Sequence, residues 1–273
     1  MSVPGVEYVL ADRTAEVPSF HVLELAPKRS EFVVCIPVID EGERIARELV
    51  KLSSLACSID VVIADGGSHD GSLAAARLAS ANVRALLTKT GPGKLSAQMR
   101  MAIAWGLEQG YAGFVFVDGN DKDDVGAIPR FIEKLAGGFD HVQGSRYIAG
   151  GRGVNTPFLR HFGVKLLHAP LISRGAGFRY TDTTNGFRGY SRRFLTDPRV
   201  VPLRDVFQAY ELHYYLAIRA ARLGFRVVEI PVTRTYPIGE RAPTKISPWR
   251  GNWRVFATLV NAVRGRYDPP VTS

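Results

Sequence analysis

The chain is poor in cysteine, with two in 273 residues: Cys35 inside an apolar run and Cys57 further on. Neither belongs to a Cys-x-x-Cys pair or a Cys/His cluster. That excludes a zinc ribbon and a disulfide framework, and favours reduced thiols in a cytoplasmic setting. No run of eighteen apolar residues occurs, so no membrane-crossing helix is expected. No charged-then-apolar leader opens the sequence, so export is not expected. A Gly-x-Gly-x-x-Gly turn after the first strand is missing, as is a Gly-x-x-x-x-Gly-Lys-Ser/Thr loop. A Rossmann dinucleotide site and a P-loop NTPase are therefore unsupported. Zinc-finger spacing, an RNP-type aromatic motif and a dense Lys/Arg tract are absent too, so no nucleic-acid partner is expected. His161, His168 and His213 sit at unrelated helical phases and share no metal-ligand spacing.

What is present is a large apolar share, 46%, enough for one sizeable α/β core, and a net charge of +9 from 35 Lys and Arg against 26 Asp and Glu. Much of the basic excess falls after residue 144. A basic balance of this kind suits an anionic partner such as a phosphorylated small molecule or an anionic membrane face.

Four apolar residues, Phe114 to Val117, read as a buried central strand that stops on Asp118-Gly-Asn120-Asp121. Hard oxygen ligands at the end of a parallel strand suit Mg²⁺ or Mn²⁺ and, through the ion, a pyrophosphate. The structural alternative is a polar turn before a helix capped by Asp123 or Asp124. Two further strands end on acids: Phe32 to Ile36, closed by Pro37 and followed by Asp40-Glu41, and Asp60 to Ala64, followed by Asp65. Helices are expected over Glu43 to Ser53, Leu73 to Ser80 and Leu95 to Glu108, with a further strand over Val83 to Leu87. Strand and helix alternate up to Asp118, which predicts a parallel, doubly wound sheet with its acids along one rim. Residues 1–30 are expected to form an arm or a short edge strand.

In this order the motifs resemble those of family 2 glycosyltransferases of the GT-A fold, in the branch of dolichol- or polyprenyl-phosphate sugar synthases. They are Pro37-Val-Ile-Asp-Glu41, Ala64-Asp65-Gly-Gly-Ser-His-Asp70-Gly, Gly91-Pro-Gly-Lys94 and Asp118-Gly-Asn120, then Gly144-Ser-Arg-Tyr147 and Asp182-Thr-Thr-Asn-Gly-Phe-Arg-Gly-Tyr-Ser191. Tyr210-Glu-Leu212, Glu229-Ile-Pro-Val-Thr-Arg234 and Pro243-Thr-Lys-Ile-Ser247 complete the series. The resemblance implies an α/β GT-A domain over residues 31–247 that moves a hexose from a nucleotide-diphosphate sugar, with inversion, to a polyprenyl phosphate or a cell-envelope glycan. It implies donor contacts at Pro37, Asp40, Glu41, Asp65 and Lys94, and a divalent ion at Asp118 and Asn120. Gly66 and Asn120 stand where the pattern has acids, so the metal site is neutral at its second position unless Asp121 substitutes.

The resemblance further implies that Arg146 and Arg160 grip an acceptor phosphate, a role that suits arginine because its planar guanidinium pairs phosphate oxygens bidentately. A phosphate monoester attacks without a protein base; a sugar hydroxyl would require one, with Asp182 the candidate and Glu211 behind it. Arg241 and Lys245 lie in a Gly/Pro-containing loop of the kind that closes over a site. Trp249, Trp253, Phe256, Val260 and Val263 form one face of a helix flanked by Arg250, Arg254, Arg264 and Arg266, within a carboxyl-terminal segment of residues 248–273. Over 249–266 that face fits a membrane interface, at the inner side of the membrane, or docking on the protein's own domain or on a second subunit. The rivals are a same-fold transferase with a hydroxyl acceptor, a sugar nucleotidyltransferase and a non-enzymatic basic binding module.

Overall fold

The computed structural model describes residues 6–12, 14–55, 59–157, 162–237 and 250–270; side chains of 250–254 are outside the description. Strands β1 (Val6–Glu7), β2 (Phe20–Glu24) and β3 (Phe32–Val38) come first, followed by helix α1 (Glu43–Ser53). Then β4 (Asp60–Asp65), α2 (Ala75–Ser80), β5 (Val83–Lys89), α3 (Leu95–Glu108) and β6 (Gly113–Phe116) alternate. Helix α4 (Ile128–Ala136), β7 (His141–Ser145), β8 (Arg152–Val154) and α5 (Ala169–Ala176) follow, the last entered through a π-turn at Val164–His168. The chain continues through β9 (Arg188–Ser191), α6 (Arg192–Leu195), α7 (Glu211–Arg222), β10 (Val227–Pro231), β11 (Thr233–Thr235) and α8 (Arg250–Val263).

Among the described residues, nine strands form one sheet in the order β1-β2-β5-β4-β3-β6-β9-β7-β10. The neighbours β5, β4, β3 and β6 are parallel, as the alternation of strand and helix requires. Strand β9 is reversed: it runs antiparallel to both β6 and β7. The sheet is therefore mixed and mainly parallel, and β7 points the same way as β6. The expected arm before residue 31 adds two antiparallel edge strands, with Phe20 buried in the core. Strand β3 does not stop at Pro37. Pro37 pairs with Ala64 and the strand runs to Val38.

The inner strands are buried on both faces, and side chains alternate between two cores. Val33 and Cys35 face one core with Trp105, Met99 and Leu212; Val34, Ile36 and Val38 face the other with Ile45, Leu49 and Phe131. Burial pushes the Cys35 thiol well up, so it is an inert apolar packing group. Helix α8 lies against α5 and α7: Leu259 and Ala262 are buried, with Val255 and Val263 packed beside them. Val263 belongs to the expected face, whose Phe256 and Val260 are partly buried, whereas the fully buried positions, 259 and 262, lie beside that face. Trp249 and the Trp253 side chain lie outside the described residues. Among the described residues no helix is long and apolar enough to cross a membrane.

Candidate active site

Because β4 and β6 flank β3 in parallel, Asp65 and Asp118 emerge on the same edge of the sheet. Strand β7 shares their direction, so Arg146 emerges there as well. The open carboxyl edge of such a sheet is where a ligand crevice forms.

The β3 and β4 loops are tied to each other. Asp65 Oδ1 accepts from the Ser68 backbone N–H at 2.9 Å and from Ser68 Oγ at 2.7 Å. Ser68 Oγ in turn accepts from the Asp40 N–H at 3.0 Å, and Asp40 Oδ1 accepts from the His69 N–H at 2.7 Å. Asp70 Oδ2 accepts from the Gly42 N–H at 2.8 Å, closing the rim. Asp40 sits at a φ of 47°, a strained position for a non-glycine residue that these bonds hold in place. Glu41 is paired with Arg44 at 2.8 Å. Asp40, Glu41, Gly42, Arg44, Arg47 and Asp70 line a shallow cavity of about 330 Å³. Beneath this rim, buried Gln98 on α3 donates to the Val38 and Ala64 carbonyls at 2.8 and 2.7 Å, pinning the ends of β3 and β4. Lys94 is exposed at the amino end of α3, its backbone N–H held by the Gln208 carbonyl at 2.7 Å.

Asp118 is the centre of a charged cluster assembled from distant parts of the chain. Arg234 on β11 donates from Nη2 to Asp118 Oδ2 at 2.9 Å and from Nη1 to Asp123 Oδ2. The Asp118 side chain keeps 28% exposure, whereas that of Asp123 has none. They titrate in opposite directions because of their neighbours: burial would raise both, but at Asp118 the charges of Arg234 and Lys122 prevail and its pKa is lowered, while burial with the Asp118 charge beside it takes Asp123 up to about 6. Burial would lower the Arg234 pKa, but the two carboxylates hold it above its ordinary value.

Two features near Asp118 bear on a metal. Asn120 Oδ1 is buried without a hydrogen-bond partner, an oxygen suited to a hard cation. Gly186 leaves the carboxylate its room, since a Cβ there would stand 2.4 Å from Asp118 Oδ1. Asp118 and Asn120 therefore fit as a small oxygen set for Mg²⁺ or Mn²⁺. Among the described residues no group of three His, Cys, Asp or Glu side chains forms a fuller cage. Asp121 is not available as the substitute ligand: its carboxylate is held by Arg47 at 3.0 Å and Lys51 at 2.6 Å, and its backbone N–H by Glu48 at 2.8 Å. Asp124 does act as a cap, accepting from the Gly126 N–H at 3.1 Å.

The acceptor-side expectations meet a different geometry. Arg146 and Asp182 are brought together, but as partners of each other. Arg146 Nε donates to Asp182 Oδ2 at 2.6 Å and Nη2 to Oδ1 at 2.9 Å, with side-chain exposures of 1% and 0%. The fork that would pair a phosphate is filled, and the carboxylate that would serve as base is shielded. Arg146 Nη2 also donates to Thr184 Oγ1 at 2.9 Å, so the pair shapes the turn that leads to Gly186. Glu211 points back into the turn before α7, accepting from the Gln208 N–H at 3.0 Å and from the Ala209 N–H, so its carboxylate is engaged in holding that turn. Arg160, Arg241 and Lys245 lie outside the described residues. Sequence reasoning missed Arg234, Gln98 and Gly186 as parts of the site; Arg234 and Gly186 belong to quoted motifs, but nothing local links them to Asp118.

Residues 33–197 match the family described as Glycosyl transferase family 2. A polyprenol monophosphomannose synthase of Mycolicibacterium smegmatis is 28% identical over 86% of this chain and 88% of its own length. An undecaprenyl-phosphate mannosyltransferase of Micrococcus luteus is 31% identical over 72% of this chain and 81% of its own. Among solved structures, glucosyl-3-phosphoglycerate synthase of Mycobacterium tuberculosis superposes with a TM-score of 0.60 at 15% identity, covering 90% of this chain and 88% of that one. A second structure of that enzyme, in complex with Mn²⁺, UDP and glucosyl-3-phosphoglycerate, gives 0.57 at 15% identity, covering 90% and 87%. At that identity the likeness speaks for the GT-A fold alone. With the family match and the sequence relatives beside it, the chain belongs to glycosyl transferase family 2, is similar to that family's polyprenyl-phosphate sugar synthases, and is a glycosyltransferase.

Proposed function

We propose that this enzyme moves a hexosyl group from a nucleoside-diphosphate sugar to a polyprenyl phosphate. The observation that carries the proposal is the shared edge on which Asp65 and Asp118 emerge, with one oxygen of Asp118 held by Arg234 and the unpartnered Asn120 oxygen two residues on. The cavity rimmed by Asp40 and Glu41, tied to Asp65 through Ser68, takes the nucleoside end of the donor, with Pro37 and Lys94 proposed as further donor contacts. Asp118 and Asn120 would hold Mg²⁺ or Mn²⁺, which would supply Lewis-acid stabilisation of the leaving diphosphate. A phosphate oxygen of the acceptor forms the bond to the anomeric carbon as the bond to the diphosphate oxygen breaks, and nucleoside diphosphate departs. No side-chain base is needed, because a phosphate monoester is already largely dianionic near pH 7.

The buried Arg146–Asp182 pair supports this division of labour, since it leaves Asp182 no role as a base for a sugar hydroxyl. Arg146 then acts by fixing the 182–186 turn beside Asp118, and Arg160 and Lys245 are proposed as the phosphate-facing cations. The exposed Arg264 and Arg266 after α8 are the proposed peripheral contact with an anionic membrane face.

The test is a donor screen with UDP-, GDP- and CDP-sugars, read as nucleoside-diphosphate release with polyprenyl phosphate, with glycan, and with neither. Release that depends on lipid phosphate is expected; release driven only by glycan hydroxyls would overturn the acceptor. Asp118→Ala should reduce turnover by roughly 10³-fold with an unchanged circular-dichroism spectrum. A fully active variant would remove the ion site.

A further inference from the structure

The carboxylate proposed to hold the ion is already half-committed to a cation of the protein. The Arg234 side chain, 7% exposed, takes Asp118 Oδ2 with one nitrogen and Asp123 with the other. Lys122, also buried, adds its charge to Asp118 and lies with Nζ 5.5 Å from the centre of the Tyr236 ring. Two carboxylates are thereby balanced by two cations. The next acid along, Asp121, is drawn off by Arg47 and Lys51. Asn120, the second oxygen, is neutral.

A hard dication is bound in proportion to the charge and number of its oxygens. With Arg234 and Lys122 set against Asp118 and Asp123, a single carboxylate that already shares an oxygen gives a bare ion little to bind. A nucleoside diphosphate brings both the missing charge and further oxygens. We propose that Arg234 is a positioning residue that sets the order of loading: it keeps Asp118 neutralised so that the divalent ion enters only together with the diphosphate of the donor. This rests on the proposal that Asp118 and Asn120 are the ion's ligands. Backbone geometry supports a dedicated role for Arg234. Strand β11 is anchored to the 122–124 segment on both sides of it, the Asp124 N–H donating to the Thr233 carbonyl at 3.0 Å and the Thr235 N–H to the Lys122 carbonyl at 2.8 Å. The guanidinium is thus fixed against the two carboxylates by its own main chain.

The experiment is Mn²⁺ titration of the full chain, followed by loss of the free-ion electron paramagnetic resonance signal, with and without UDP or GDP and against nucleotide-only controls. Wild type should take up Mn²⁺ weakly alone and at least about tenfold more tightly with the matching nucleotide. Arg234→Met should bind Mn²⁺ alone at least about tenfold more tightly than wild type, and Arg234→Lys should behave as wild type. Unchanged affinity in a folded Arg234→Met, or tight uptake of bare Mn²⁺ by wild type, overturns the inference. If Arg234→Met does not fold, Lys122→Met removes one cation without unpairing Asp123, and an unchanged affinity there overturns it equally. Adding Asp118→Ala must abolish any gain. A gain that survives Asp118→Ala rejects the ion-site proposal itself, whereas a normal ternary complex with no effect at Arg234 rejects only the loading order.

Discussion

At position 186 the difference between a hydrogen and a methyl group reaches the carboxylate of Asp118 directly. An added Cβ would lie 2.4 Å from Oδ1 and 3.0 Å from Cγ, so either Asp118 or the 182–186 turn must move. A displacement near 1 Å at a reacting centre costs on the order of 10²-fold in rate. Gly186→Ala should therefore lose roughly that much kcat while remaining folded, checked by steady-state kinetics beside a melting curve. Full activity would mean that the carboxylate is not held where the chemistry occurs. Asp118 itself was legible in the sequence, because an apolar run stopping on an acid is a local pattern. Gly186 and Arg234 were not: their meaning comes from meeting Asp118 across the sheet, and for Arg234 that contact spans 116 residues.

The parallel elements were read nearly to the residue. Helices α1 and α3 have the expected limits, since Ile45, Leu49 and Leu52 repeat at helical spacing and α3 is apolar over most of its length. What local pattern could not give was the reversed β9, the pairing partner of the expected amino-terminal edge segment, or the π-turn at Val164–His168. Those depend on which neighbour a segment finds, not on its own periodicity. Gln98 makes the same point within α3: one amide in an apolar helix clips two strand ends. Gln98→Ala would leave the Val38 and Ala64 carbonyls without that donor, at a cost of about 1–3 kcal/mol each. Denaturant unfolding should show that loss, and the donor KM should rise because both rim loops loosen. An unchanged KM with lowered stability would separate the clip from the site.

Across the whole molecule, buried ionisable groups pull stability against pH in both directions. Burial holds His141 and His213 down to about 3, so the folded chain refuses protons that the unfolded chain accepts below about pH 6.5. Their contribution is complete above that pH and is lost as the pH falls toward 3, at up to about 1.4 kcal/mol per unit for each histidine. Asp123, raised to about 6 by burial, acts oppositely, since the folded chain takes up its proton first. Glu48, pushed up by burial, does the same. The total curve is a compromise, and a single replacement isolates one contributor. His141→Phe keeps the stack on Tyr190, 5.0 Å between ring centres, and removes the titration. Its stability relative to wild type should improve progressively between pH 6.5 and 4.5 in urea unfolding; a constant difference would mean that the imidazole is already protonated in the fold. The clamp on Asp118 also has a meaning in time. A growing polypeptide that has left the ribosome as far as Ser191 owns both rim aspartates and the reversed strand, yet lacks the Arg234 that holds Asp118. Until residue 234 emerges and β11 pairs with the 122–124 segment, Asp118 lacks that restraint, so the partly made chain is the form more open to a bare ion, and the clamp closes that opening as the fold completes.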